Sequence, residues 1–142
     1  MNNPYLLETK NLKKYFPAGP GMTLHALDGI NLRIRPGRTL GVVGESGCGK
    51  STLGRTILRL TEPTEGQIFL NGQEITGLSQ AQLRKLRTKM QLIFQDPYAS
   101  LNLRMTVEDS IAEPMLVNRM FKTKAEAYGR VDELMETVGL AP

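Results

Sequence analysis

The chain has 142 residues, 40% hydrophobic and 23% charged, with a formal net charge of +4 and a single cysteine, Cys48. That length suffices for one domain with its own core, no apolar run reaches the roughly 18 residues of a membrane-spanning helix, and the first residues lack the basic-then-apolar layout of a secretory signal. One cysteine excludes an internal disulfide and fits a reducing compartment, and the modest positive charge suits anionic partners such as nucleotides or a lipid surface without arguing for nucleic acid.

In chain order, Leu6–Leu12 reads as a first strand and Pro17–Gly21 as a loop by composition. From Leu24 to Ile34 the apolar residues fall on even positions: Leu24, Ala26, Ile30, Leu32 and Ile34. Asn31, Arg33 and Arg35 alternate with them, so the spacing predicts a half-exposed antiparallel strand. Pro36-Gly37 turns the chain into Leu40-Gly-Val-Val43, a short apolar run expected to be a buried strand.

Gly44-Glu45-Ser46-Gly47-Cys48-Gly49-Lys50-Ser51 follows, a complete phosphate-loop pattern. Leu53, Ile57 and Leu60 then fall on one helical face, so the glycines sit between an expected strand and a helix start. The chemistry needs these residue types. Glycines let the backbone curl until successive N–H groups point inward, and the helix N-terminus adds the positive end of its dipole. Lys50 brings a charge to the β- and γ-phosphates, and a hydroxyl at Ser51 can ligate Mg²⁺. Cys48 reads as a filler position whose place in the loop makes it reactive.

Beyond the loop, Pro63–Gly66 is a turn, Gln67–Leu70 a strand, and Asn71-Gly72 a hairpin signal. Ser79-Gln-Ala-Gln82 is a capping box opening a helix with Leu83 and Leu86 inward. The basic stretch Arg84–Lys89 reads as a solvated helix face, with lipid contact as the alternative. Met90–Phe94 is expected to be a second buried strand. Thr106-Val-Glu-Asp109 opens a helix that Pro114 should kink or end, and Thr123-Lys-Ala-Glu126 opens the last, with Val131, Leu134, Met135 and Val138 as its inner stripe and Gly139 and Pro142 closing it. The lone histidine, His25, has no partners for a metal set. Strands framing a phosphate loop, preceded by an antiparallel part, give an α/β class.

The spacing of these motifs resembles an ABC transporter ATPase over essentially the whole chain. Phe16, in Asn11-Leu-Lys-Lys-Tyr-Phe16, lies where that family carries an aromatic that stacks on adenine, although Tyr15 competes for the role. Leu27-Asp-Gly-Ile-Asn-Leu32 looks like the family's second strand, and Met90-Gln-Leu-Ile-Phe-Gln95-Asp96-Pro97 like its glutamine loop. The run Gln95-Asp-Pro-Tyr-Ala-Ser-Leu-Asn-Leu-Arg-Met-Thr-Val107, with Gly-Glu-Ser-Gly-Cys-Gly-Lys-Ser-Thr52, is similar to the bacterial dipeptide/oligopeptide importer branch, except that Leu103 stands where that branch commonly has proline.

The resemblance implies a phosphate-loop NTPase core with an N-terminal antiparallel β subdomain. Residues 1–142 are then the N-terminal part of one ATPase domain: 1–36 mainly antiparallel β, 37–97 the core up to the glutamine loop, and 98–142 the start of the helical subdomain. It implies ATP and Mg²⁺ as cofactors. Phe16, Gly44, Glu45, Ser46, Gly47, Cys48, Gly49, Lys50, Ser51 and Thr52 would bind nucleotide, Ser51 and Gln95 would hold Mg²⁺, and Lys50 and Gln95 would serve catalysis. Implied partners are two transmembrane permease subunits, a second ATPase subunit and, indirectly, an extracytoplasmic solute-binding protein, with the chain peripheral on the cytoplasmic face of a bacterial inner membrane. The family's Leu-Ser-Gly-Gly-Gln signature, its strand ending in Asp-Glu and its switch histidine are not among these residues. The chain is therefore expected to be a portion that binds nucleotide better than it hydrolyses it. The alternatives are a stand-alone phosphate-loop NTPase with Asp96 on the metal, or a catalytically inactive nucleotide-binding module. The absence of a guanine-reading Asn-Lys-x-Asp motif and of an arginine-rich lid weighs against the first.

Overall fold

The computed structural model describes residues 4–96 and 101–141, so Pro97–Ser100 of the glutamine-loop run and the expected terminator Pro142 lie outside the described residues. Chain contacts divide the molecule into two compact units, Met1–Leu92 and Ile93–Pro142.

The first unit is built on a four-stranded antiparallel sheet. Its strands are β1 (Leu7–Gly19), β2 (Met22–Ile34), β3 (Glu65–Leu70) and β4 (Gln73–Glu74), in the order β2-β1-β3-β4. β1 runs on through Pro17 to Gly19, into the expected loop, because its far half still pairs with β2 (Phe16 with Leu24, Pro17 with Thr23). The chain reverses only at Pro20-Gly21.

The alternation expected of β2 holds from Ile30 to Ile34 and then changes phase. Leu27, an odd position, is 4% exposed, whereas Leu24 is 57% exposed. Register explains this: Leu12 pairs with Ile30 but Lys14 with Leu27, so β2 carries an extra residue there, and Gly29 at φ +75° absorbs it. A bulge leaves backbone groups without ladder partners, and neighbouring side chains satisfy them. The Thr9 hydroxyl donates to Ile30 O and accepts from Leu32 N, while the Asn31 amide oxygen accepts from Asn11 N.

Gly66 marks a second irregularity, opposite the bulge of β1 between Lys10 and Lys13. At φ +92°, a Cβ placed on it would come within 2.3 Å of Asn11 O and 2.6 Å of Leu12 Cα. Only glycine lets the two strands approach there. The Asn71-Gly72 hairpin forms as its sequence signals, with positive φ at both residues.

Helix α1 (Lys50–Ile57) and helix α2 (Gln80–Leu86) bury Leu53 and Leu83 in one core with Leu12, Leu27, Ile68, Leu70 and Ile75. The Ser79 capping box of α2 is present. A single 3₁₀ turn, Arg87–Lys89, follows.

Two expected strands are absent among the described residues. Leu40–Val43 forms no ladder, and its apolar side chains are exposed (Val43 94%). Met90–Phe94 is extended at Met90 but likewise unpaired, with Ile93 96% exposed. A buried strand needs hydrogen-bond partners along its edges, and neither segment has a ladder partner among the described residues.

In the second unit α3 (Val107–Val117) and α4 (Lys124–Thr137) pack through Ala112, Val131 and Met135. Thr106 caps α3, and Thr123 with Glu126 forms the capping box of α4. Of the two outcomes expected of Pro114, ending the helix does not occur, since α3 continues three residues past it. Val138, expected in the inner stripe of α4, instead lies past the helix end and is 70% exposed. Gly139 closes the helix at φ +77°.

Candidate functional site

The phosphate-loop residues assemble at the head of α1. Gly47 and Gly49 hold φ of +81° and +96°, and Gly49 is the residue that enters the helix. No side chain caps that end. The first N–H groups of a helix have no intrahelical acceptor, so those at Lys50 and Ser51 remain directed outward with the positive end of the dipole behind them. Gly49 also braces α1 on the sheet, because a Cβ there would lie 2.4 Å from Ala26 O and 3.5 Å from the Leu27 side chain.

Lys50 folds back over the loop. Its ammonium donates to Gly44 O at 2.8 Å and Glu45 O at 2.6 Å, and lies 3.5 Å from Cys48 Sγ. The Cys48 N–H closes a turn onto Glu45 O at 3.4 Å. A Cβ on Gly44 would meet Cys48 Sγ at 2.7 Å, so the loop is wound tightly at its start. Glu45, Ser46, Cys48 and Ser51 are exposed and Thr52 is half-buried. The donor set is a positively charged ammonium, glycine-bearing backbone and an uncapped helix start, with the Ser51 hydroxyl beside it. That chemistry fits a polyphosphate with a hard cation.

Phe16 lies on β1, half-buried, opposite Leu24. The Lys14 ammonium sits 4.8 Å above its ring, and Phe16 lines an open groove of about 480 Å³ with Tyr15, Pro17, Met22, Thr23 and Thr64. Leu24, which pairs with Phe16, is two residues before Ala26, which Gly49 abuts, so β2 borders both the Phe16 region and the loop. Tyr15, on the same groove, is already engaged. It stacks on His25 at 3.9 Å between ring centres and donates its hydroxyl to Asp28 at 2.6 Å. That bond holds Asp28 below the usual carboxylate range and raises the Tyr15 phenol.

Gln95 and Asp96 belong to the second unit and are exposed. Sequence reasoning missed two arginines. Arg59, at φ +50° and 8% exposed, has a buried guanidinium that no periodicity flags. Arg87 falls in the basic stretch that reads as a solvated face, and its neighbours Arg84, Lys85 and Lys89 are exposed. Arg87 instead turns inward and donates to Leu58 O and Arg59 O. Glu62, three residues after Arg59, was the one available sequence signal of an ion pair.

A glycine loop at an uncapped helix start, braced on an antiparallel sheet, is an arrangement that ATP-binding cassettes share. In a solved dimeric structure of this class, the post-hydrolysis state of the cassette MJ0796 bound to ADP and phosphate, the match has a TM-score of 0.78 at 27% identity, over 92% of this chain and 56% of that one. The ABC transporter family model matches residues 27–142, and the chain belongs to that family. It is 54% identical over 136 residues to the oligopeptide transport ATP-binding protein OppF of Bacillus subtilis, covering 95% of this chain and 44% of OppF. It is 41% identical over 142 residues to the di/tripeptide transport ATP-binding protein DppF of Pseudomonas aeruginosa, again covering 44% of the relative. Its branch is therefore that of the oligopeptide and dipeptide ATP-binding proteins, and the chain spans under half the length of these relatives.

Proposed function

We propose that this chain is the nucleotide-holding part of a bacterial ABC importer ATPase that couples MgATP binding and hydrolysis to uptake of di- or oligopeptides. The N–H groups of Gly44–Thr52 cradle the phosphates, Lys50 neutralises the β- and γ-phosphates, Ser51 and Gln95 hold Mg²⁺, and Phe16 stacks on the base. MgATP, when bound, supplies the phosphoanhydride whose cleavage drives such transport. The partners are two membrane permease subunits and a second ATPase subunit on the cytoplasmic face of the membrane, with a solute-binding protein outside. The names of OppF and DppF support a peptide cargo.

The observation that carries the reading is the loop itself: an uncapped helix start whose lysine bridges two loop carbonyls. An arriving phosphate offers that ammonium and those N–H groups charge-assisted bonds in place of the carbonyls. Lys50→Ala should weaken ATP by about 2–3 kcal/mol. Titration of both proteins with a fluorescent ATP analogue checks this, and equal affinity would remove the assignment. These 142 residues hold no Asp-Glu strand end and no signature motif. Such a polypeptide should bind MgATP without steady phosphate release, because no general base is positioned for water.

A further inference from the structure

We infer that Arg87 and Arg59 are positioning residues for the phosphate loop, fixing the far end of α1 so that the N–H groups at its near end keep their aim. The inference rests on the nucleotide-binding reading above. It begins from a property of helices. The last carbonyls have no intrahelical partner and carry the negative end of the dipole, so a cation there is favourable. At the end of α1, Arg87 spans two consecutive carbonyls: one terminal nitrogen donates to Leu58 O and the other to Arg59 O at 3.2 Å.

Arg59 completes the clamp. Its positive φ is a backbone state that a non-glycine residue keeps only where its surroundings impose it. One terminal nitrogen donates to Ile75 O at 2.8 Å and Leu78 O at 2.7 Å. Nε and the other terminal nitrogen donate to one Glu62 oxygen at 2.9 and 2.7 Å. The second Glu62 oxygen accepts from Gln80 at 3.2 Å. The buried charge of Arg59 is thus neutralised, and the helix end is tied to the β4–α2 connection, the start of α2 and the 3₁₀ turn.

The rest of the surroundings gives α1 little orientation. Leu40–Val43, leading into the loop, makes no ladder, and the loop from Gly41 to Cys48 is exposed. Gly49 braces the near end of the helix against Ala26 and Leu27 by close approach, without a hydrogen bond. Along the buried face Leu53 and Ile57 contribute apolar contact only, and the buried Thr56 hydroxyl has no hydrogen-bond partner, so the body of the helix supplies no directional bond. Directional restraint therefore comes from the two arginines. An eight-residue helix is about 12 Å long, so a shift of about 2 Å at the clamped end turns it through about 10°, the order of misalignment at which a preorganised site fails.

The test uses the full 142-residue chain, with wild type, Lys50→Ala, Arg87→Lys and Arg87→Ala. It measures affinity for a fluorescent ATP analogue and for inorganic triphosphate, helix content by circular dichroism, and amide hydrogen exchange. Arg87→Ala should bind both ligands about tenfold or more weakly while retaining wild-type helix content. Arg87→Lys should fall between, since one ammonium cannot span both carbonyls. Because linkage is reciprocal, MgATP should slow exchange at Leu58–Thr61 in the wild type, a readout that needs no variant to fold. Exchange there unchanged by MgATP in a wild type that binds and a Lys50→Ala that does not, or a folded Arg87→Ala within about twofold of wild type, overturns the clamp and leaves the loop assignment standing. Wild type and Lys50→Ala that coincide overturn the loop assignment, and the clamp with it.

Discussion

Phe16 and Tyr15 are adjacent, and residue identity alone leaves the base-stacking role open between them. Their surroundings separate them. Both line the same open groove, but Tyr15 already spends its ring on His25 and its hydroxyl on Asp28, whereas the Phe16 ring has only the Lys14 ammonium over one face. Phe16→Ala should therefore weaken ATP by about 1–3 kcal/mol, with Phe16→Tyr tolerated and inorganic triphosphate unaffected. Tyr15→Ala should instead loosen the β1–β2 hairpin and lower the melting temperature. Parallel titrations and thermal melts of the three variants check this, and loss of triphosphate affinity in Phe16→Ala would show a structural effect rather than stacking. What made the loop legible is that each of its residues is dictated by local backbone need. Gly47 and Gly49 must take positive φ, and Lys50 must follow them into the helix. The arginine clamp was not legible because its bonds run to carbonyls 16 to 29 residues away, and carbonyls leave no mark in a sequence.

Elements governed by local rules came through the sequence well. Both capping boxes, the Asn-Gly hairpin and the antiparallel character of β2 are set by neighbours within a few residues. The two apolar runs did not become strands, because a strand's existence is decided by what lies beside it. Pro114 does not end α3 for a related reason: a helix packed along one face survives the loss of a single backbone bond, and Ala112 and Met115 hold α3 on either side of the proline. The α3–α4 pair also carries a titratable link. Tyr128 donates its hydroxyl to Asp109 at 2.7 Å, which lowers the Asp109 carboxyl and raises the Tyr128 phenol. The depressed carboxylate contributes stability above its ordinary pKa that is lost as pH falls through its lowered value. The raised phenol contributes stability below its ordinary pKa that is lost as pH rises through its raised value. Helix pairing in this unit should hold between about pH 4 and pH 10 and weaken on both sides. Thermal melts across that range, with Tyr128→Phe flattening both limbs, check it. A Tyr128→Phe variant with unchanged pH dependence would place the titration elsewhere.

At the scale of the molecule, the exposed apolar side chains stand out. Val43 is 94% exposed, Ile93 96% and Leu103 86%, far beyond the scattered apolar exposure of an ordinary surface. The segments carrying Val43 and Ile93 also present unpaired backbone, which invites edge-to-edge pairing. The 142-residue chain alone should self-associate at micromolar concentration. Size-exclusion chromatography with light scattering reads this directly: Val43→Thr with Ile93→Thr should shift the population toward monomer. A wild type that stays monomeric up to about 100 µM would contradict the expectation.

The contact between Gly49 and Ala26 bears on how such a loop would drift if selection for nucleotide were lifted. A chain kept only for its fold would still need glycine at 49, because any side chain there runs into the carbonyl of β2. Gly47, with open space around it and φ +81°, would wander to asparagine or aspartate, and Gly44 would be released once Cys48 changed. The motif should decay from its front, leaving Gly49 as a fossil of packing rather than of chemistry. In a distant relative a lone glycine before the helix testifies to the sheet, and only the intact triplet Gly44, Gly47 and Lys50 testifies to phosphate.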